Sequence, residues 1–354
     1  MSIKNFVGGR IIKTGISVFV TAFICHLLNW PAMFAVITAI VTIEPTASDS
    51  IRKAFVRFPA SAIGAGFAVL FTFLFGDSPY SYALVSLFTI IICHKLKFHD
   101  GMLVATLTGV AMISTVNDHY TSSFFIRLGT TTTGLIVSSL VNIVVMPPNY
   151  LDSIKNKIFA IYKDAVTLLY KRICEIVDTH KDSNELRQEF QTVLKDIEKT
   201  ETLFTYQKEE WKFHRFKRNE ARKLYYEYKK FTILRQISNH LGNLIYLPTH
   251  HFSLDCEKGN YILSSMQSLK TSLCSETFSI DEINNEDIRK LTEWFSDQRE
   301  ENNNGGNNHH ITPETAIMYE LLSIFDLIDE LKEVQKKEFR GYKDKVKINT
   351  SSSI

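Results

Sequence analysis

Few side chains in this 354-residue chain could do chemistry, and those with the most to offer lie in or beside apolar runs. Arg127 sits in Phe124-Phe125-Ile126-Arg127-Leu128-Gly129-Thr130, where a cation could meet an anionic substrate. Arg57 occupies a matching place at the edge of another apolar run, and the planar fork of each guanidinium suits a carboxylate. Glu44, followed by Pro45, could exchange protons with a pathway if burial raised its pKa. With Thr130 these make the candidate pathway residues: Arg57, Arg127, Glu44 and Thr130. The competing readings are ordinary ones. Either arginine could snorkel to headgroups, and Glu44 could be a plain loop residue. His26 and His94 can titrate near neutral pH but would look the same as interfacial side chains.

Catalytic constellations are absent from the sequence. GxxxxGK[ST], HExxH and GxSxG do not occur, and the five cysteines have no metal-ligand spacing. No catalytic residue, cofactor or metal is therefore expected, and the chain does not read as an enzyme. His309-His310 could bind a metal, but the run Glu300 to His310 reads as a solvated low-complexity loop. Trp211 to Lys230 interleaves aromatic and basic residues, which suits a membrane surface or a solvated helix face. With a net charge of +2, no nucleic-acid partner is expected.

The elements that position these residues follow from an uneven composition. The first 150 residues carry 9 Lys/Arg and 5 Asp/Glu, and the rest carry 31 and 33. A bilayer core about 30 Å thick needs about 20 apolar helical residues. Six runs approach or meet that: Ile11 to Leu28, Trp30 to Ile43, Phe58 to Phe75, Tyr80 to Cys93, Gly101 to Thr115 and Ser122 to Val145. Basic residues mark alternate connections: Lys4, Arg10 and Lys13; Arg52, Lys53 and Arg57; Lys95 and Lys97; then Lys155, Lys157 and Lys163. By the positive-inside rule both termini are cytoplasmic. The first run has no small-x-small cleavage pattern before the next one, which favours an uncleaved helix.

Repetition sharpens the picture. Ile24-Cys25-His26 recurs as Ile92-Cys93-His94, and Arg57 with Gly64 recurs as Arg127 with Gly134, at offsets of 68 and 70. Three spans per copy would turn the second copy upside down, a transporter architecture with its site near the midplane. The middle segment of each copy is short, at roughly 20 Å, which points to the same region. Small residues at four-residue spacing, including Gly64, Gly66, Gly129 and Gly134, permit close helix packing. The fold class is thus all-α: six transmembrane helices in two inverted three-helix repeats, plus a cytoplasmic helical bundle.

Residues 1–148 form the membrane domain and 149–340 the cytoplasmic domain, with a flexible tail at 341–354. From Lys181 to Leu241 there is no Pro or Gly, and Leu186, Phe190, Val193, Leu194 and Ile197 follow helical spacing. Gly242 and Pro248 should end that run. Further helices are expected at 257–276, 284–300 and 313–338, the last capped by Thr312 before Pro313.

Val36-Ile37-Thr38, Pro45-Thr46, Ser50 and Arg57 followed by Gly64 resemble the signature of the fusaric acid resistance superfamily, in particular its bacterial aromatic acid exporter branch. Arg127-Leu128-Gly129-Thr130 with Gly134 is closer still to the family's pattern, whereas Pro59-Ala60-Ser61 departs from it in the first copy. The resemblance covers about residues 8 to 148. It implies a six-span membrane domain and export of aromatic carboxylic acids.

Together these readings lead to a secondary, ATP-independent exporter of small organic anions in the bacterial cell membrane. It would work as a homodimer, because six spans make a small transporter. The alternative is a non-transporting membrane anchor or sensor that acts through its cytoplasmic helical domain.

Overall fold

The computed structural model describes residues 9–114, 120–179, 184–214, 217–247, 256–274, 289–296 and 312–351. All regular structure among them is helical. The low-complexity run at 300–310, with its histidine pair, lies outside the described residues. Two compact units emerge.

The first unit holds α1 (Gly9–Leu27), α2 (Ala32–Thr42), α3 (Ala47–Phe75), α4 (Pro79–Lys95), α5 (His99–Ile113) and α6 (Tyr120–Val144). Each coincides with one of the six apolar runs. Three of them, α1, α3 and α6, are long and apolar enough to cross a membrane, and α2 and α5 are shorter apolar helices. Large apolar side chains such as Phe19, Phe73, Leu103 and Phe125 point outward, as lipid contact requires. The protein is an all-α membrane protein. α3 starts well before the apolar run at Phe58, because Thr46 caps it by accepting from the Asp49 N–H at 3.0 Å.

The packing respects the sequence repeat. α1 and α2 pack on each other and on α6; α4 and α5 pack on each other and on α3; α3 and α6 also touch. Each copy therefore lends its third helix to the other copy, and exchanging the copies leaves the pattern unchanged. The buried stripe agrees. Lys13, Ser17, Thr21 and Cys25 of α1 recur 68 residues on as the buried Ser81, Val85, Thr89 and Cys93 of α4. On α3 and α6 the offset is 70: Ser61, Gly64 and Ala68 match Thr131, Gly134 and Ser138, all buried.

Backbone details repeat as well. Asn29 (φ 52) and Lys97 (φ 60) make matching left-handed turns after α1 and α4. Trp30 N–H reaches the Cys25 carbonyl at 2.9 Å, and Phe98 N–H reaches the Cys93 carbonyl at 2.8 Å. Gly76 (φ 61) and Met146 (φ 46), 70 residues apart, follow α3 and α6.

Glycine marks the tightest crossings. A β-carbon at Gly64 would lie 2.5 Å from the Ala105 carbonyl oxygen, and one at Gly134 would collide with the Ala35 carbonyl oxygen. Ala35 and Ala105 are themselves 70 apart, so the same contact is made twice. Gly129 lies under the Trp30 ring. Gly66 makes no such approach within this unit: among the described residues nothing lies within 4 Å of its open face.

The second unit comprises Tyr150–Thr205 and Phe216–Ile354, while Tyr206–Arg215 belongs to the first. The second half of the sequence contains α7 (Leu151–Cys174) with a π-turn at Glu175–Thr179, α8 (Asn184–Glu210), α9 (Arg218–Tyr246), α10 (Cys256–Cys274), a short α11 (289–296) and α12 (Pro313–Ser351). α7 packs on α9 and α10, and α9 packs on α12. Arg172 is buried, donating from Nε to the Leu244 carbonyl at 3.0 Å and from Nη2 to the Leu247 carbonyl at 2.6 Å, which closes the end of α9. Burial works against the Lys230 ammonium, but Glu227 and Glu338 more than offset it and hold its pKa above the usual value.

Three expectations change here. The run from Lys181 is broken at 211–217 although it lacks Pro and Gly, because 206–215 packs with the first unit. Gly242 does not end α9, which continues to Tyr246 with Gly242 against the Phe190 ring. α12 runs on to Ser351, into residues assigned to a tail.

Because no water competes inside such a unit, close packing carries its stability. Gly64→Ala and Gly134→Ala should each destabilise the protein by about 1–3 kcal/mol, the usual cost of overpacking. Gly66→Ala should not. Thermal unfolding of the detergent-solubilised protein followed by fluorescence reads all three, and the two destabilised variants should match each other.

Candidate functional site

Arg127 lies on the buried face of α6 and is only 2% exposed. A surface position at the headgroups is therefore ruled out. Its Nη1 donates to Thr131 Oγ1 at 2.5 Å, and its Nη2 reaches Ser61 Oγ at 3.4 Å. Ser61 and Thr131 are equivalent positions of the two copies and lie 3.2 Å apart, so the guanidinium sits beside the pseudo-twofold axis. Its carbon is 4.5 Å from the centroid of the Phe34 ring. Nε has no hydrogen-bond partner, and among the described residues no carboxylate pairs with this arginine.

The equivalent Arg57 is also buried but fully engaged. Nη2 donates to Glu44 Oε1 at 2.7 Å, Nη1 to the Val41 carbonyl at 3.1 Å, and Nε to the Asp100 carbonyl at 3.2 Å. Lys53 Nζ is 3.0 Å from the other oxygen of Glu44. Burial alone would push the Glu44 carboxyl up, but the hydrogen bonds and charges of Arg57 and Lys53 outweigh it and hold its pKa below the usual value. The condition set for proton exchange at Glu44, a raised pKa, is thus not met. Glu44 instead answers the charge of Arg57.

Thr130 is fully buried, and its hydroxyl donates to the Arg127 carbonyl at 2.9 Å. It is the equivalent of Ala60, and it touches the site through the backbone rather than with a free hydroxyl. His26 and His94 are both exposed and join neither arginine.

Two residues escaped the sequence reading. The basic-residue pattern places Lys13 among the loop charges, yet it is buried in α1, with Nζ 2.7 Å from Asn142 Oδ1 and 3.2 Å from the Asn142 carbonyl. Asn142 in turn donates from Nδ2 to Ser50 Oγ at 2.7 Å and to the carbonyls of Glu44 and Thr46 at 3.1 and 3.2 Å. A lone carboxamide in the apolar run Leu140 to Val145 was the available signal, since a polar side chain there must find partners.

Among the described residues there is no cluster of His, Cys, Asp or Glu able to hold a metal. The arrangement offers one half-satisfied cation beside an aromatic ring, and one cation already neutralised by a carboxylate.

Residues 5–145 match the model of a family described as aromatic acid exporter family member 1. Relatives extend over nearly the whole chain. A UPF0421 protein of Bacillus cereus is 39% identical over 336 residues, covering 94% of this chain and 95% of its own. UPF0421 protein OB2406 of Oceanobacillus iheyensis is 40% identical over 336 residues, covering 93% and 96%. UPF0421 protein SH1063 of Staphylococcus haemolyticus is 37% identical over 332 residues, covering 92% and 97%.

A depressed carboxyl pKa stabilises the fold above its unfolded value, and that contribution disappears as pH falls through the folded value. The Glu44 contribution should therefore be complete above about pH 4.5, the ordinary glutamate value, and vanish in more acidic solution. Thermal unfolding midpoints of wild type and Glu44→Gln, measured from pH 7 downward, should differ most at the neutral end and converge on acidification.

Proposed function

This chain belongs to the aromatic acid exporter family, and from that premise we propose that it is a secondary exporter of small organic anions, aromatic carboxylates among them. The observation that carries the reading is Arg127: a buried guanidinium with hydroxyl partners, an unpartnered Nε and a neighbouring phenyl ring. A charge so placed in an apolar unit is costly, and sites of this kind mark substrate pathways. The comparison with Arg57 supports it. There the chain supplies its own carboxylate, Glu44; at Arg127 the substrate supplies it. The carboxylate would take the Nε edge of the fork, and its ring would find Phe34.

In this reading α1 to α6 are six spans, with the second copy inverted and both termini in the cytoplasm of a bacterial cell. The short α2 and α5, in matching places of the two copies, fit the pattern of helices that border a midplane site. Two copies associate as a homodimer. The reading needs no nucleotide, in keeping with the absence of a GxxxxGK[ST] loop from the sequence.

Efflux of radiolabelled benzoate from preloaded proteoliposomes tests the proposal. Wild type should empty the vesicles faster than protein-free controls. Arg127→Ala should slow efflux at least about tenfold, a loss of roughly 1.4 kcal/mol. Arg127→Lys should fall between the two, keeping the charge but not the fork. Efflux equal in wild type and Arg127→Ala would overturn the assignment of the site. If neither exceeds the control, a membrane-anchored sensor becomes the better account.

A further inference from the structure

The most unexpected contact in the first unit comes from far along the chain. Glu210 is 2% exposed, and its Oε1 accepts the Ala47 N–H at 2.6 Å, on the first residue of α3. Glu209 Oε2 accepts the Thr46 hydroxyl at 3.1 Å. His214 Nε2 lies 2.7 Å from the Ile143 carbonyl, at the end of α6, and its Nδ1 lies 3.1 Å from Glu210 Oε2. At the same end, the buried Lys13 ammonium of α1 is bound to Asn142 of α6. Residues 206–214 thus bond to the same end of α3 and α6, the end at which Lys13 of α1 meets Asn142.

We propose that this segment is the inner gate of the transporter, a latch held shut by Glu210 on the first turn of α3. The physical reasons are local. A carboxylate is favoured at a helix N-terminus, where unpaired N–H groups and the helix dipole both present positive charge. A buried anion also answers the buried Lys13, which would otherwise have Asn142 but no opposite charge.

The other end of the unit carries no charge at the equivalent positions. The positions equivalent to Lys13 and Asn142 at the other end are Ser81 and Thr72. Ser81 bonds to the Phe71 and Gly76 carbonyls of its own neighbourhood, and the Thr72 hydroxyl has no partner. Among the described residues, one end carries local hydroxyl bonds at these positions, and the other carries a buried ammonium and a buried carboxylate, the latter delivered from far along the chain.

The inference takes from the proposed function that the two ends open separately and that this end faces the cytoplasm. Its test uses no substrate, so a failure of benzoate efflux and a failure of the latch are told apart. The reporter is Ile43→Cys, a fully buried position beside Glu44, in full-length protein retaining Cys25 and lacking the other four cysteines. Cys25 is fully buried at the opposite end of α1 from Lys13 and serves as the internal control. The protein in lipid nanodiscs is treated with a maleimide, and each site is quantified by peptide mass spectrometry.

Glu210→Gln and the charge-neutral double variant Lys13→Gln/Glu210→Gln should raise labelling at position 43 at least about tenfold, with Cys25 unchanged. A disulfide between Thr46→Cys and Glu209→Cys, formed in either background, should return position 43 to its slow rate until reduced. Unchanged labelling at position 43 in both variants would overturn the proposal. So would an equal rise at Cys25, which would make Glu210 a support of the whole unit rather than of one end.

Discussion

The membrane unit depends on how closely α3 and α6 approach helices of the opposite copy. Gly64 lies against the Ala105 carbonyl, and Gly134 lies against that of Ala35. In an apolar solvent there is no hydrophobic gain to drive helices together, so backbone proximity and packing have to do it. This exchange makes two three-helix copies into one body. It also brings Ser61 and Thr131 into contact at the centre, where side chains of both copies meet the same guanidinium.

On that nearly symmetric scaffold the charges are strongly asymmetric. Arg57 and Arg127 occupy equivalent positions, yet one has a carboxylate, a lysine close by and two backbone carbonyls, and the other has hydroxyls and a ring. At the end where Lys13 meets Asn142, four polar groups saturate one carboxamide. The backbone is thus nearly symmetric while the charges set on it are not. The second unit obeys the ordinary rules of water-soluble helices instead. Its buried Arg172 closes a helix end, and its ion pairs lie around Lys230.

The six apolar runs, their order and the repeat were legible because each depends on a local pattern. Run length reports hydrocarbon thickness, and recurring ICH and Arg-x6-Gly units report a repeated packing face. Arg57 and Arg127 were legible for the same reason, as charges that apolar runs rarely carry. The reach of 206–215 was not. Nothing in Glu209-Glu210 differs from the many exposed carboxylates of the second half until their partners, Thr46 and Ala47, are known. The equal weight given to Gly64 and Gly66 failed similarly, since four-residue spacing describes two helix faces and only packing selects one.

The sequence by itself determined that this is an all-α membrane protein with a duplicated apolar half, and which arginines stand inside it. Composition and periodicity act along the chain, and so they can be read along it. Which arginine is neutralised, which glycines touch, and that Lys13 and Glu210 are buried at one end were decided by tertiary structure alone. Each of those depends on a group that only folding brings alongside, and a buried charge takes its meaning from the partner it finds.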